Sequence, residues 1–176
     1  MQIREQLLKE TSKKNWQTVA KWVGSDEKRF DELMHLFFTD EYRVVQRASQ
    51  AMIDISDVHP HLLHPYLVKL VHHLNTKSID AVKRNTLRIF QFAPIPAEIE
   101  GILFDHGIQF LQSLTEPIAV KAFAMTVLRR ICEKYPELSS ELIPHIEILV
   151  QEKASAGLVN RGEKELKKLY ALQAKI

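Results

Sequence analysis

Glycine is scarce in this chain, five in 176 residues, and the scarcity excludes two things. Turn-rich all-β architecture has too few residues free to take positive φ, and no GxGxxG or GxxxxGK[ST] loop is present to cradle a phosphate. Cysteine is scarcer still. Cys132 stands alone, so there is no internal disulfide framework and no cysteine-cluster zinc site. Its setting, "MTVLRRICEKY", is that of a buried, inert thiol. No apolar run approaches the ~18 residues of a membrane span. The N-terminal "MQIREQLLKETSKKNW" is charged where a secretory signal needs an apolar segment. The expectation is a soluble cytoplasmic chain with no membrane partner.

What is present is helical periodicity, on a chain that is 45% apolar and so has the means to build a core. "DEKRFDELMHLFF" sets Phe30, Leu33, Met34 and Phe37 at i, i+3, i+4 and i+7, a single apolar stripe. Gly24 reads as the end of one helix, and Ser25 or Asp26 as the cap of the next. Upstream, Ile3, Leu7 and Leu8, then Trp16, Val19, Ala20 and Val23, predict two short helices. Trp16 falls on the core stripe and Trp22 beside it.

Sixteen residues, "HPHLLHPYLVKLVHHL" (59–74), hold five of the eight histidines. A helix does not gather them. His61 and His64 are one turn apart, but His72 lies roughly 16 Å beyond His61 at ~1.5 Å per residue, and His73 points elsewhere. A helical zinc pair uses i, i+4 spacing, which is missing here. The carboxylates Asp54/Asp57, Glu98/Glu100 and Glu163/Glu165 sit at solvated spacings, without the apolar setting that would separate their pKa values. No catalytic, cofactor-binding or metal-ligating residue is assigned, and the expectation is a protein that is not an enzyme.

The informative pattern is a repeat. "VQRASQAMI", "VKRNTLRIF", "VKAFAMTVL" and "VNRGEKELK" begin at Val45, Val82, Val120 and Val159, spaced by 37, 38 and 39 residues. Four positions on stand the small residues Ser49, Thr86 and Ala124; seven on stand Met52, Ile89, Val127 and Leu166. Those positions share one helical face, so each segment lets a neighbour approach closely at one point. A second series matches Leu62, Leu63, Pro65, Leu67 and Leu70 to Leu142, Ile143, Pro144, Ile146 and Leu149. The two prolines predict bends at equivalent places in two helices.

On these residues the chain resembles the HEAT-repeat (armadillo-like) family, in which a proline-bent first helix is followed by a second helix opening V-[RK]-x-x-small-x-x-large. The resemblance runs over roughly residues 26–172. It departs from the family pattern where the aspartate preceding the valine occurs only as Asp40, and where the third unit lacks the proline and carries Gly107, predicting an interruption. The last copy has Gly162 and Glu163 at packing positions, as a terminal unit facing solvent would. The resemblance implies an all-α, right-handed α-solenoid of stacked antiparallel helix pairs, about ten helices, with first helices outside and second helices lining the inner face. It forms a single domain over 1–176, with N-terminal helices in 1–24 and units at 25–58, 59–94, 95–136 and 137–174.

Charge is distributed unevenly over that expected architecture. The four second helices carry thirteen Lys or Arg against five acids, a surplus of +8 that leaves −6 for the rest of a chain whose total is +2. A concave basic surface focuses its field on acidic partners. Lys83 and Lys121 stand where such repeats tie neighbours together through a carboxylate. Arg47, Arg84, Arg88, Arg129 and Arg130 are the candidate surface-facing, partner-binding residues. The expected function is a non-enzymatic protein-binding scaffold holding another protein or an acidic peptide segment, with no cofactor. The alternative is nucleic-acid binding on the same face, as in HEAT-like alkylpurine DNA glycosylases, although their catalytic aromatic and acidic residues have no counterpart here.

Overall fold

Local capping chemistry sets where several helices begin. Ser12, Asp26 and Ser155 sit in extended backbone, and each side-chain oxygen accepts the amide three residues on, at 3.1 Å in every case. Each cap satisfies a donor that the first turn leaves orphaned, worth about 1 kcal/mol. At the other end of the second helix Gly24 takes φ +54, where a side chain would be strained, and its N–H closes on the Ala20 carbonyl at 2.9 Å.

The computed structural model describes residues 1–75 and 77–175. Among these lie ten α-helices and no strand: α1 (Ile3–Lys9), α2 (Lys13–Val23), α3 (Glu27–Thr39), α4 (Tyr42–Ser56), α5 (Leu67–His73), α6 (Asp80–Phe90), α7 (Glu100–Gln112), α8 (Ile118–Lys134), α9 (Ser139–Gln151) and α10 (Ala156–Gln173). Short 3-10 turns occupy Pro60–Tyr66, Ala97–Ile99 and Pro136–Leu138. No helix among the described residues is long and apolar enough to cross a membrane.

Two layers result. One is the row α2–α4–α6–α8–α10, in which each helix packs on the next. The other contains α3, the 60–66 turn with α5, α7 and α9, while α1 lies against α2 and α4. Between the layers runs one continuous core, including Phe30, Phe37, Met52, Phe90, Phe110 and Val127, all essentially without solvent exposure. A lone helix pair has nothing to cover this apolar surface, so stacking is what makes burial possible. The all-α solenoid of about ten helices expected from the sequence is the fold observed.

Three details differ from the expectation. First, the outer segment 61–74 is not one bent helix. With prolines at 60 and 65 the chain forms a 3-10 turn over Pro60–Tyr66 and becomes α-helical only at Leu67. Pro144, by contrast, is carried within the single helix α9. Second, Gly107 does not interrupt α7. A Cβ there would stand 2.5 Å from Leu128 Cδ2 and 2.8 Å from its Cγ, so the missing side chain is what lets α8 close on α7.

Third, the last repeat is in register one residue earlier. Leu158, not Val159, is buried, and Gly162 is the small residue of α10, where a Cβ would come within 2.4 Å of Val150 Cγ2. Counted from Leu158 the spacings become 37, 38 and 38, and Gly162 takes the place held by Ser49, Thr86 and Ala124. It is a close-packing residue rather than a sign of decay at the end of the stack.

Of the histidine-rich stretch, His61, His64 and His72 are exposed and only His73 packs into the aromatic cluster of the outer layer. His73 meets Phe38 edge-on at 5.2 Å and Phe37 at 5.8 Å, and Tyr66 stacks on Phe38 while donating to Asp31. Burial, then the Lys69 charge, holds His73 below its ordinary pKa. His59 and His61 meet edge to face. Cys132 is fully enclosed, and burial pushes its thiol up to about 11, so at neutral pH it is an unreactive core group.

Candidate functional site: the inner helical face

The row α2–α10 is where basic residues collect. It includes a helix that the repeat signature does not mark. Lys13, Lys14 and Lys21 of α2 join the thirteen bases of α4, α6, α8 and α10. With five acids on the same helices the surplus is +11, leaving −9 for the remainder of the chain. Only the position of α2 beside α4 exposes this extension, because α2 has no V-K opening to announce it.

Many of these bases are engaged within the fold. Lys83, almost wholly buried, donates to Glu116 Oε1 at 2.6 Å; Glu116 is equally buried in the turn before α8. This is the carboxylate tie between neighbouring units. Lys121 occupies the same place in the next repeat and is buried too, but no carboxylate lies within 4.0 Å of it among the described residues. Lys134 on α8 reaches Glu100 at the start of α7 at 2.9 Å. Burial alone would raise Glu100, yet the hydrogen bonds from Lys134 and Tyr135 outweigh it and hold the carboxyl below its ordinary value.

Arg129, expected at the surface, is a correction: it is 8% exposed and forms the centre of a polar ladder. Its Nε donates to Glu165 Oε2 at 2.8 Å, and a second nitrogen meets Glu133 one turn on. Glu165 also accepts from the Thr126 hydroxyl at 2.8 Å. Arg161 then spans from Thr126 Oγ1 (2.7 Å) to Gln91 Oε1 (3.1 Å), crossing α8 to join α10 with α6. Two long side chains, Arg161 and Gln91, thus meet over α8 and link helices two apart in the row. A charge at the place of Arg129 is desolvated and needs the carboxylates of Glu165 and Glu133.

Arg130 is half-buried and also points into the fold. It donates to the carbonyl of Phe90 and, at 2.9 Å, to that of Ala93, both left open where α6 ends. Burial, then the neighbouring Arg129 charge, pulls its pKa below the ordinary value. Arg47 does the same one level down, giving one nitrogen to the Leu7 carbonyl near the end of α1 at 2.7 Å, while its Nε is enclosed without a partner. A cation at a helix C-terminus is favoured by the helix dipole as well as by the hydrogen bond.

Two of the five candidates remain available. Arg88 is 43% exposed and pairs at 3.0 Å with Asp57, itself 60% exposed. Arg84, one turn earlier on α6, contacts only the adjacent Asn85 at 3.3 Å. Asn85 in turn donates to Ser49 at 2.9 Å, so the small residue of α4 serves as a polar contact point. The face is not uniformly positive. Asp54 of α4 lies between Lys13 and Arg88, and burial, then the Asp57 charge, raises its pKa.

Comparison with known sequences and structures bears on this geometry. A family model described as a HEAT repeat domain matches residues 3–169. No curated protein and no solved structure matches the chain.

Proposed function

The chain belongs to the HEAT-repeat family, and from that premise we propose that it is a non-enzymatic, cytoplasmic scaffold whose inner face binds an acidic segment of another protein. HEAT repeats generally mediate protein–protein interactions, and their proteins are in general non-catalytic. The observation that carries the finer reading is the charge surplus of +11 on the five-helix row, against −9 elsewhere. A face with a surplus of one sign concentrates partners of the other and speeds their capture. Within it the contact residues are Arg84 and Arg88, with Lys13, Lys21 and Arg43 extending the same row. Arg47, Arg129 and Arg130 hold the face in shape. Each unit, with boundaries at 25–58, 59–94, 95–136 and 137–174, contributes one inner helix.

The test is affinity capture from lysate by the wild-type chain and by an Arg84→Glu/Arg88→Glu variant. Captured proteins that are lost on charge reversal support the reading, and an unchanged set refutes it. The same surplus supports a second reading, binding to a phosphate backbone. Its affinity would have to fall steeply with salt as counterions are released, so a gel shift that stays empty at about 50 mM salt and micromolar protein removes it.

A further inference from the structure

Phe92 is 83% exposed, an unusual position for a phenylalanine, and its backbone is firmly held. Its N–H and that of Ala93 both donate to the Ile89 carbonyl, at 3.0 and 2.9 Å. From the other side Arg130 takes the carbonyls of Phe90 and Ala93. Pro94 follows directly. The ring is therefore presented to solvent by a turn that two neighbouring repeats pin in place.

Beside the ring lies a cavity of about 210 Å³ between the ends of α4 and α6 and the 60–66 turn. Ile53, Leu63, Ile89 and Pro60 give it an apolar lining, and Ser56, Asp57, His64 and Arg88 are its polar groups. Small-molecule sites run to roughly 300–1,000 Å³, so this one is sized for a single side chain. Arg88 stands at its rim and Arg84 lies one turn along the same helix without a carboxylate partner among the described residues. The Arg88–Asp57 pair is exposed on both sides and so holds Arg88 only weakly, and an incoming carboxylate takes Arg88 as Asp57 turns out to solvent.

We infer that this cup and the Phe92 ring receive one aliphatic or aromatic side chain of an acidic protein segment, whose carboxylates lie along Arg88 and Arg84. The inference rests on the acidic-partner reading above and sharpens it, because charge alone sets neither register nor position, whereas a seated side chain sets both. Apart from the single Phe92 ring the apolar lining is aliphatic, which favours a protein side chain over a nucleobase.

The test uses the full chain, isotopically labelled, and three pools of synthetic peptides of about twelve residues. One pool is acidic with a central Leu, Ile or Phe; the second is acidic with a central Ser; the third is basic with the apolar centre. The expected result is that only the first pool shifts the amides of Leu63, Ile89, Phe92 and Ala93. Replacing the central residue by Ser should weaken binding by at least about tenfold, the cost of one lost apolar anchor. Phe92→Ser, at an exposed position, should weaken it comparably while leaving thermal unfolding unchanged. Equal binding of the two acidic pools would overturn the cup and leave the basic-face reading standing. Failure of both acidic pools would overturn the two together. Saturable binding of single-stranded oligothymidine at these same amides, with no peptide bound, would overturn a protein segment as the occupant.

Discussion

Glu165 makes the strongest test of how the inner row is held together. Its carboxylate, 5% exposed, accepts from Arg129 at 2.8 Å and from Thr126 at 2.8 Å, and Arg129 is itself only 9% exposed along its side chain. Glu165→Ala leaves that guanidinium buried with one remaining carboxylate, Glu133, which is 53% exposed. Removing one member of a buried pair costs about 3–5 kcal/mol, and the surviving Glu133 contact places this case near 3 kcal/mol. For a chain of this length each kcal/mol moves the midpoint by about 2–4 °C, so unfolding followed by circular dichroism at 222 nm should fall by about 6–12 °C. Glu133→Ala, which removes only the exposed partner, should cost no more than about 1 kcal/mol. The paired variant Arg129→Met/Glu165→Leu should recover most of the loss, because it removes the stranded charge together with its partner. If Glu165→Ala and Glu133→Ala lower the midpoint equally, or the double variant is the worst of the three, the ladder is not what joins α10 to α8.

Two glycines in α7 should respond with opposite signs. A Cβ at Gly101 meets nothing within 4 Å, so Gly101→Ala should gain up to about 1 kcal/mol from helix propensity. Gly107→Ala meets three atoms of buried Leu128 at 2.5 to 3.0 Å and should lose about 1–2 kcal/mol net in urea unfolding, overpacking outweighing propensity. Burial holds His73 and His106 below the ordinary histidine value of 6.5, with Lys69 adding to the effect at His73 and Asp105 opposing it at His106. Unfolding raises their proton affinity, so their contribution is intact above pH 6.5 and is lost as pH falls through the depressed folded values. The stability difference between wild type and His73→Gln/His106→Gln should therefore shift against the wild type between about pH 7.5 and 5.5; a flat difference would remove this account.

The repeat was legible because its physical cause is local in sequence. A helix that must let a neighbour approach needs a small residue one turn after an apolar one, and Val45/Ser49, Val82/Thr86 and Val120/Ala124 show that spacing directly. The last copy misled because Leu158 and Val159 are both apolar; only the position of Val150 against Gly162 decides between them. The leucines of the 60–66 turn fit either helical geometry, so their spacing alone does not separate the 3-10 turn from the α-helix that begins at Leu67. α2 entered the inner row without any signature at all.

The arginines carry a different lesson, and it bears on where a partner can bind. The repeat resemblance assigns Arg47, Arg84, Arg88, Arg129 and Arg130 to the second helices, and they lie on α4, α6 and α8, but the groups they meet come from elsewhere in the chain. Arg47 finds the Leu7 carbonyl and Arg130 the Phe90 carbonyl, each forty residues back. Arg88 meets Asp57 thirty-one residues back, just past α4. A repeat of about 38 residues returns a guanidinium to the end of the preceding level, where dipole and open carbonyls or a carboxylate await it. Arg47 and Arg130 are thus a consequence of stacking, whereas the exposed Arg88–Asp57 pair adds little cohesion and leaves Arg88 open to a partner. Arg84 does not follow that rule: it has no helix end or carboxylate beneath it among the described residues. A cation that the fold does not require for its own cohesion is the one whose reversal should change binding while stability stays within about 0.5 kcal/mol, and Arg84→Glu separates the scaffold's partner contacts from its internal stitches.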